Sequence, residues 1–437
     1  MEKLRKDLSA PGLLSRVRHC FDQIVDHRDD RCTIWLGDAL MSGIAVFGLK
    51  CASLLQFDQH RQDPIIAHNL QTLYGVKQIP CDTQMREIID GVQTRYLRPA
   101  FKVVFSQLQR GKGLEAYAYV NGHYLLSVDG TGFFSSQTLH CEQCCEKKKR
   151  NGQITYYHQL LGAAIVHPDK REVIPLAPEP ITLQDGQTKN DCERNAAKRL
   201  LPDVRREHPH LPLIVVEDAL SANAPHIEML KKLDMRFILG VKPGDHKALF
   251  EEVQARALDH QVEEWEFVDE SNVTHRFVYT NHIALNQQHP NCLVNFLEYW
   301  QITPEKTLHF TWITDLLLTK DNVFDIQKGG RARWKIENET FNTLKNQGYN
   351  LEHNFGHGQQ YLANNFAVLM MLTFLIDQVQ QICCPLFQQA LEKQERKLYL
   401  WNSMRAFFRC FYISCWEQFF AALIKGHTPA DLVPDTS

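Results

Sequence analysis

Charge of one sign is what this sequence has least of. Its 48 Lys and Arg nearly balance 51 Asp and Glu, leaving a formal net charge of −3, so no global basic field can carry nucleic-acid binding and local patches would have to do so. Long apolar runs are also lacking. The most apolar windows are Thr33 to Phe57, broken by Asp38 and Lys50, and Phe366 to Ile376. Both fall short of the roughly 20 uninterrupted apolar residues of a membrane span and read as buried helices, so no membrane partner is expected. No apolar signal core follows Met1-Glu2-Lys3-Leu4-Arg5-Lys6, and the 13 cysteines are odd in number without the spacing of a disulfide scaffold. A reducing, cytoplasmic setting is the expectation. There is no P-loop, Rossmann fingerprint, nucleophile elbow or zinc-protease helix, and no repeat or low-complexity tract. What the chain does have is core-forming material: 437 residues, 44% hydrophobic and 23% charged, enough for two or three globular domains.

Apolar spacings of three and four residues predict helices from the N-terminus to about Gln109, with breaks near Asp63-Pro64, Ile79-Pro80 and Arg98-Pro99. Asp82 or Thr83 is the expected cap of the helix after Pro80. Between Gly91 and Leu114 there is no acid, while Arg95, Arg98, Lys102, Arg110 and Lys112 supply five positive charges. That stretch reads as a basic helical face. At Ala116 the period changes. Asn121-Gly122 between two apolar runs predicts a tight hairpin, followed by strands at Ile154 to Val166 and Glu172 to Ile181, a helix from Asp191, the apolar run Leu213 to Val216, a helix from Ala224 and a strand from Arg236 to Val241. This β-β-β-α-β-α-β order predicts an α/β domain with a mixed sheet. Strand-like pieces between 244 and 310 read as a β-rich insertion, and the chain from Val323 onward as helical. The expected organisation is a helical region over 1–115, an α/β domain over 116–345 containing that insertion, and a helical region over 346–437.

Three acids stand out. Asp129, followed by Gly130-Thr131-Gly132, is read at the end of a strand where the backbone turns. Asp218 ends a run typical of a strand buried on both faces, at the edge where open sheets bind ligands; Glu217 is its rival, since alternation puts only one of the two on the site's side. The bland alternative is that each Asp caps the next turn or helix. In the segment 331–345, a 100° step per residue groups Glu337 with Trp334, Phe341 and Leu344 and turns Glu339 away. A carboxylate facing a core is costly unless paired or metal-bound, and Arg333 at i−4 is the ordinary partner. Three such acids suit two-metal phosphoryl transfer with Mg²⁺, for which Mn²⁺ would substitute.

The order of elements and the acids resemble the ribonuclease-H-like catalytic domain of the DDE transposases of bacterial insertion sequences, the group with a β-rich insertion between the second Asp and the Glu. The matching residues are Val128-Asp129-Gly130-Thr131, Val216-Glu217-Asp218-Ala219 and Arg333-Trp334-Lys335-Ile336-Glu337-Asn338, across about Ala116 to Lys345. The resemblance implies Asp129, Asp218 and Glu337 as catalytic ligands of two Mg²⁺ ions. It also implies Arg333 and Lys345 as DNA contacts, double-stranded DNA at terminal inverted repeats and target as substrate, and a homodimer on DNA because two ends must be held. Two departures stand in this sequence: Gly330 occupies the family's upstream Tyr position, and the interval from Glu337 to Lys345 is one residue longer than usual, which leaves Glu339 open as the third acid. Terminal-repeat binding is assigned to the helical N-terminal region with Arg95, Arg98 and Lys102. A transposase-derived DNA-binding protein and a nuclease that cuts without joining are the competing readings.

Cys141 and Cys144, with His158 downstream, form a candidate structural zinc set lacking a second Cys-x2-Cys pair; reduced surface thiols are the bland alternative. Lys147-Lys148-Lys149-Arg150 next to it could track phosphates or simply be solvated. His353 and His357 sit among glycines that argue against a helix, and read as turn polarity. The aromatic cluster Phe407 to Phe420 has helical spacing and reads as core.

Overall fold

Six helices precede the first strand in the computed structural model, which describes residues 3–29, 31–182 and 191–425. They are α1 (Ala10–Asp22), α2 (Leu36–Gly48), α3 (Leu54–Asp58), α4 (Pro64–Tyr74), α5 (Asp82–Asp90) and α6 (Arg98–Arg110). Local chemistry sets their ends. The Asp63 carboxylate accepts the Ile65 N–H ahead of Pro64, and Gly75 closes α4 at φ 69°, a left-handed cap that costs glycine nothing. The cap of α5 is Cys81, whose thiol faces the Gln84 N–H; Asp82 and Thr83, the two expected caps, are the first helical residues.

The expected hairpin at Asn121-Gly122 does not form. Residues Glu115–Tyr117 and Val120–Gly122 are short 3₁₀ turns. The two tyrosines that produced the strand-like alternation serve as anchors: the Tyr117 hydroxyl donates to the Glu172 carbonyl at 3.1 Å and that of Tyr119 to the Asp325 carbonyl at 2.9 Å.

The sheet begins with β1 (Tyr124–Ser136), followed by β2 (Cys145–Lys148), β3 (Ile154–Val166), and the short β4 (Ile174–Pro175) and β5 (Glu179–Ile181). Prolines at 175, 178 and 180 withhold backbone donors, so the third strand is two fragments on the edge of β3. Helix α7 (Glu193–Glu207), β6 (Leu213–Glu217), α8 (Ala224–Lys232) and β7 (Arg236–Gly240) follow. β3 is antiparallel to β1, whereas β6 runs parallel to β1 and β7 parallel to β6. Leaving aside the short β2, which also pairs with β3, and counting β4 and β5 as one strand, the order is third, second, first, fourth, fifth: a ribonuclease-H-like sheet. All five residues of β6 are buried, as befits a strand covered on both faces.

The insertion holds a helix the sequence reading did not foresee, α9 (Lys247–Leu258), and strands β8 (Glu263–Val268), β9 (Thr274–Ala284), β10 (Leu293–Ile302) and β11 (Thr307–Thr314). β11 pairs antiparallel with β7. The insertion therefore lengthens the central sheet rather than standing beside it, and runs β11-β10-β9-β8 to the far edge.

After β11 come α10 (Val323–Arg331), a π-helical turn over Ile336–Phe341, α11 (Asn342–Asn346), α12 (Leu362–Cys383), α13 (Pro385–Gln394), α14 (Lys397–Cys410) and α15 (Trp416–Lys425). Helix α12 is long and apolar enough to cross a membrane by composition, yet it is sheathed in protein. The Asn365 amide donates to the carbonyls of Ile89 and Val92 at 2.8 and 2.7 Å, and Lys50 pairs with Asp377 at 2.7 Å. Asn69 on α4 likewise donates to the Phe408 carbonyl. Helices from the N-terminal and C-terminal regions thus pack together, and Gln378 ties them to the sheet by accepting the Val173 N–H at 3.0 Å. The aromatic cluster near the C-terminus is largely core: Phe408, Trp416, Phe419 and Phe420 are buried, with Phe407 and Phe411 packed on them.

Candidate active site

Asp129 lies in the middle of β1, not at a strand end. Gly130-Thr131-Gly132 does not turn; the strand continues to Ser136 with a bulge between Gly132 and Phe134. In the parallel pairing of β1 with β6, Ser127 stands opposite Val216. Carried two residues further, the same register sets Asp129 abreast of Asp218, the first residue past β6, on strands about 4.8 Å apart. Asp218 Oδ1 accepts the Leu220 N–H at 2.9 Å, which holds the turn after β6. Glu217 goes to the other face, where it is buried and lies 2.6 Å from His226 Nε2. Burial works against a charge on His226, but the charge of Glu217 and the hydrogen bond to it outweigh that and raise its pKa.

The third segment seats on the sheet through a missing side chain. Gly162 is the cross-strand partner of Asp129 on β3, and a Cβ there would lie 2.8 Å from the Phe341 ring. Residues facing each other across a ladder share a face, so Phe341 and its helical segment cover the face of Asp129. The Ser127 hydroxyl fastens the same segment by donating to the Arg333 carbonyl at 2.9 Å. Two parts of the helix-face argument need correction. Trp334 is 48% exposed rather than buried, and Glu337 is solvent-exposed rather than core-facing. The cause is the π turn over Ile336–Phe341, which breaks the 100° step and carries one residue more than an α-helical turn. All of it but Ile336 lies within the interval from Glu337 to Lys345. Glu339 points elsewhere, 3.5 Å from Arg171.

Charge links the acids. Burial raises the pKa of Asp129; Arg333, 3.1 Å away, and the Gly130 N–H oppose it, and the charges of Asp218 and Glu337 reinforce it. Glu193, at the start of α7, is a fourth acid that the sequence reading missed. Its side chain packs on Gly130, and its pKa is raised by burial first and then by Asp129, Asp218 and Glu217. Its one sequence signal is an acid opening the helix after the third strand, too common a feature to single out. Arg333 also stacks over Trp334, 4.3 Å from the ring centre. The donors are all carboxylate oxygens, and within reach of Asp129 the charges of Asp218 and Glu337 add to the burial that raises its pKa, against the opposing charge of Arg333. That chemistry suits hard divalent ions. The carboxylates do not converge within 4.8 Å of one another; among the described residues the group that does is Cys141, Cys144, His158 and His357.

The basic residues divide. Arg95 and Lys102 are exposed. Arg98, expected on a DNA-facing surface, is buried: its guanidinium meets Glu207 at 2.9 Å, Asp203 at 3.4 Å and Glu179 at 4.0 Å. It sits at the first position of α6, where the helix abuts α7 and β5, and acids on both claim it. Lys345 pairs with Glu352 at 2.9 Å.

No family model matches the sequence, and no curated protein matches it. Among solved structures the chain is similar to a piggyBac transposase in a synaptic complex with hairpin DNA, at 11% identity and a TM-score of 0.40, over 99% of this chain and 86% of that one. At that distance the chain's own strand order defines its fold.

Proposed function

We propose that this chain is a DNA transposase that cuts phosphodiesters at the ends of an element and joins the freed 3′ ends to target DNA, with Asp129, Asp218 and Glu337 as its catalytic acids. The observation that carries the reading is the placement of Asp129 and Asp218 abreast on adjacent parallel strands, with the Glu337 segment seated over the face of Asp129 through Gly162. Mg²⁺ ions held there, or Mn²⁺ in their place, would polarise the scissile phosphate and lower the pKa of the attacking water or 3′-hydroxyl. The protein's part is to hold the acids in fixed positions. Buried β6 sets Asp218, and Arg333 pairs with Asp129 at 3.1 Å, a partner that divalent ions would replace or share. The exposed Glu337 leaves the rim open to a long polyanion. Arg95, Lys102 and Lys345 are the candidate phosphate contacts on double-stranded terminal repeats and target, held by a homodimer.

The test uses linear duplexes ending in the inverted repeats that flank the coding sequence, with a supercoiled plasmid as target. Mg²⁺-dependent joined products from the wild type, absent from Asp129→Asn and Asp218→Asn while end binding stays within a few-fold, are expected. Nicks without joined products would make the protein a nuclease. Joining by either variant at the wild-type rate would remove that residue from the site.

A further inference from the structure

Four side chains from three separate stretches converge at the edge of the sheet beyond β2. Cys141 and Cys144 flank a tight turn, closed by the Cys144 N–H donating to the Cys141 carbonyl at 3.2 Å. His158 comes from β3, and His357 from the connection between α11 and α12. His158 Nε2 lies 3.3 Å from Cys141 Sγ and 3.4 Å from Cys144 Sγ, His357 Nε2 lies 3.3 Å from Cys144 Sγ, and the sulfurs are 4.0 Å apart. Four ligands around one Zn²⁺, with Zn–S about 2.3 Å and Zn–N about 2.0 Å, have ligand–ligand edges of about 3.3–3.8 Å. The three sulfur–nitrogen separations match these edges, and the sulfurs stand slightly wider. The sulfurs are also much too far apart for a disulfide bond of about 2.05 Å.

We propose that Cys141, Cys144, His158 and His357 form a structural zinc site that fastens the α11–α12 connection to the catalytic sheet. Both rings turn Nε2 to the common centre. His158 is 1% and His357 9% exposed, and Phe133 and Phe134 pack on them, so the centre is screened from water. With four protein ligands the set is closed, as structural rather than catalytic zinc requires. The same junction is bridged by the Glu142 N–H donating to the Gln359 carbonyl at 3.1 Å. The other nearby histidines are engaged elsewhere: His353 packs on Phe355 and His140 on Tyr156. Exposed Lys147, Lys148, Lys149 and Arg150 follow directly, so the ion would also fix the base of a basic hairpin. The site is independent of the proposed catalytic acids.

The full-length chain, purified without chelator, is expected to carry about one zinc per chain by elemental analysis. His357→Asn and Cys144→Ser should lose it, whereas His353→Asn and His140→Asn should keep it. Cobalt exchanged into the wild type should give the visible bands of a tetrahedral site with thiolate charge transfer, which decides the matter even if a ligand variant fails to fold. Stripping the metal should make the 145–153 hairpin and the 347–361 connection the first sites of proteolysis. A wild type that binds no zinc or cobalt after reconstitution overturns the proposal, as does equal zinc loss from His353→Asn and His357→Asn.

Discussion

Replacing Arg98 with Ala should destabilise the protein without removing a DNA contact. The Arg98 guanidinium is the common partner of Glu207, Asp203 and Glu179, and it also donates to the carbonyls of Ala177 and Pro178. It therefore joins α6 to the last turns of α7 and to β5 with the residues just before it. Its removal leaves Glu179, whose pKa burial already raises, with Arg199 alone, and breaking such a buried cluster costs about 3–5 kcal/mol. Unfolding entropy of about 2.1 cal/mol/K per residue over 437 residues gives roughly 0.9 kcal/mol/K, hence a fall of about 3–5 °C in Tm. Exposed Arg95 and Lys102 make the contrast. Their joint replacement by Ala should move stability by no more than about 1 kcal/mol, yet weaken binding to element ends and flatten its salt dependence by about two units of slope. Differential scanning calorimetry and a salt titration of end binding read the two effects. An Arg98→Ala protein that melts with the wild type would refute the reasoning, as would one that keeps its Tm but loses more DNA affinity than the Arg95/Lys102 pair.

Glu337→Gln, nearly isosteric but a poorer ligand, should eliminate Mg²⁺-dependent joining with partial recovery in Mn²⁺, while Glu339→Gln retains most of it; the reverse outcome in one assay would move the third acid by two positions. Gly162→Ala places a methyl against Phe341 and should cost about 1–3 kcal/mol; because it lifts the Glu337 segment, joining should drop by about 100-fold, more than the melting shift accounts for, and an unchanged joining rate would disconnect that packing from the site. The raised pKa of His226 beside Glu217 contributes stability that is full below about pH 6.5 and is lost as pH rises through the folded-state value. Urea midpoints of wild type and His226→Gln should accordingly differ most at pH 5.5–6 and converge in alkali.

Periodicity alone was enough for the order β1, β3, α7, β6, α8 and β7, though not for β2 or the split third strand, because β6 must read as an unbroken apolar run when covered on both faces, and because amphipathic helices show their buried stripe. The same pattern pointed to the acidic pair Glu217-Asp218 where the run ends, and the resemblance chose Asp218. Tertiary contacts decided the rest. Tyr117 and Tyr119 alternate like a strand but are held as turns by carbonyls at Glu172 and Asp325, which lie far along the chain. Arg98 looks like its neighbours Arg95 and Lys102 until α7 packs on it. The phase of the Glu337 segment depends on a π turn whose extra residue no 100° step anticipates, and on the bare backbone at Gly162 that lets Phe341 approach. His357 is more than 200 residues from Cys144 in sequence, and its turn-like surroundings of glycine and asparagine conceal that it faces the same point. Local pattern records what each segment buries; only the folded chain records which distant segment it buries against.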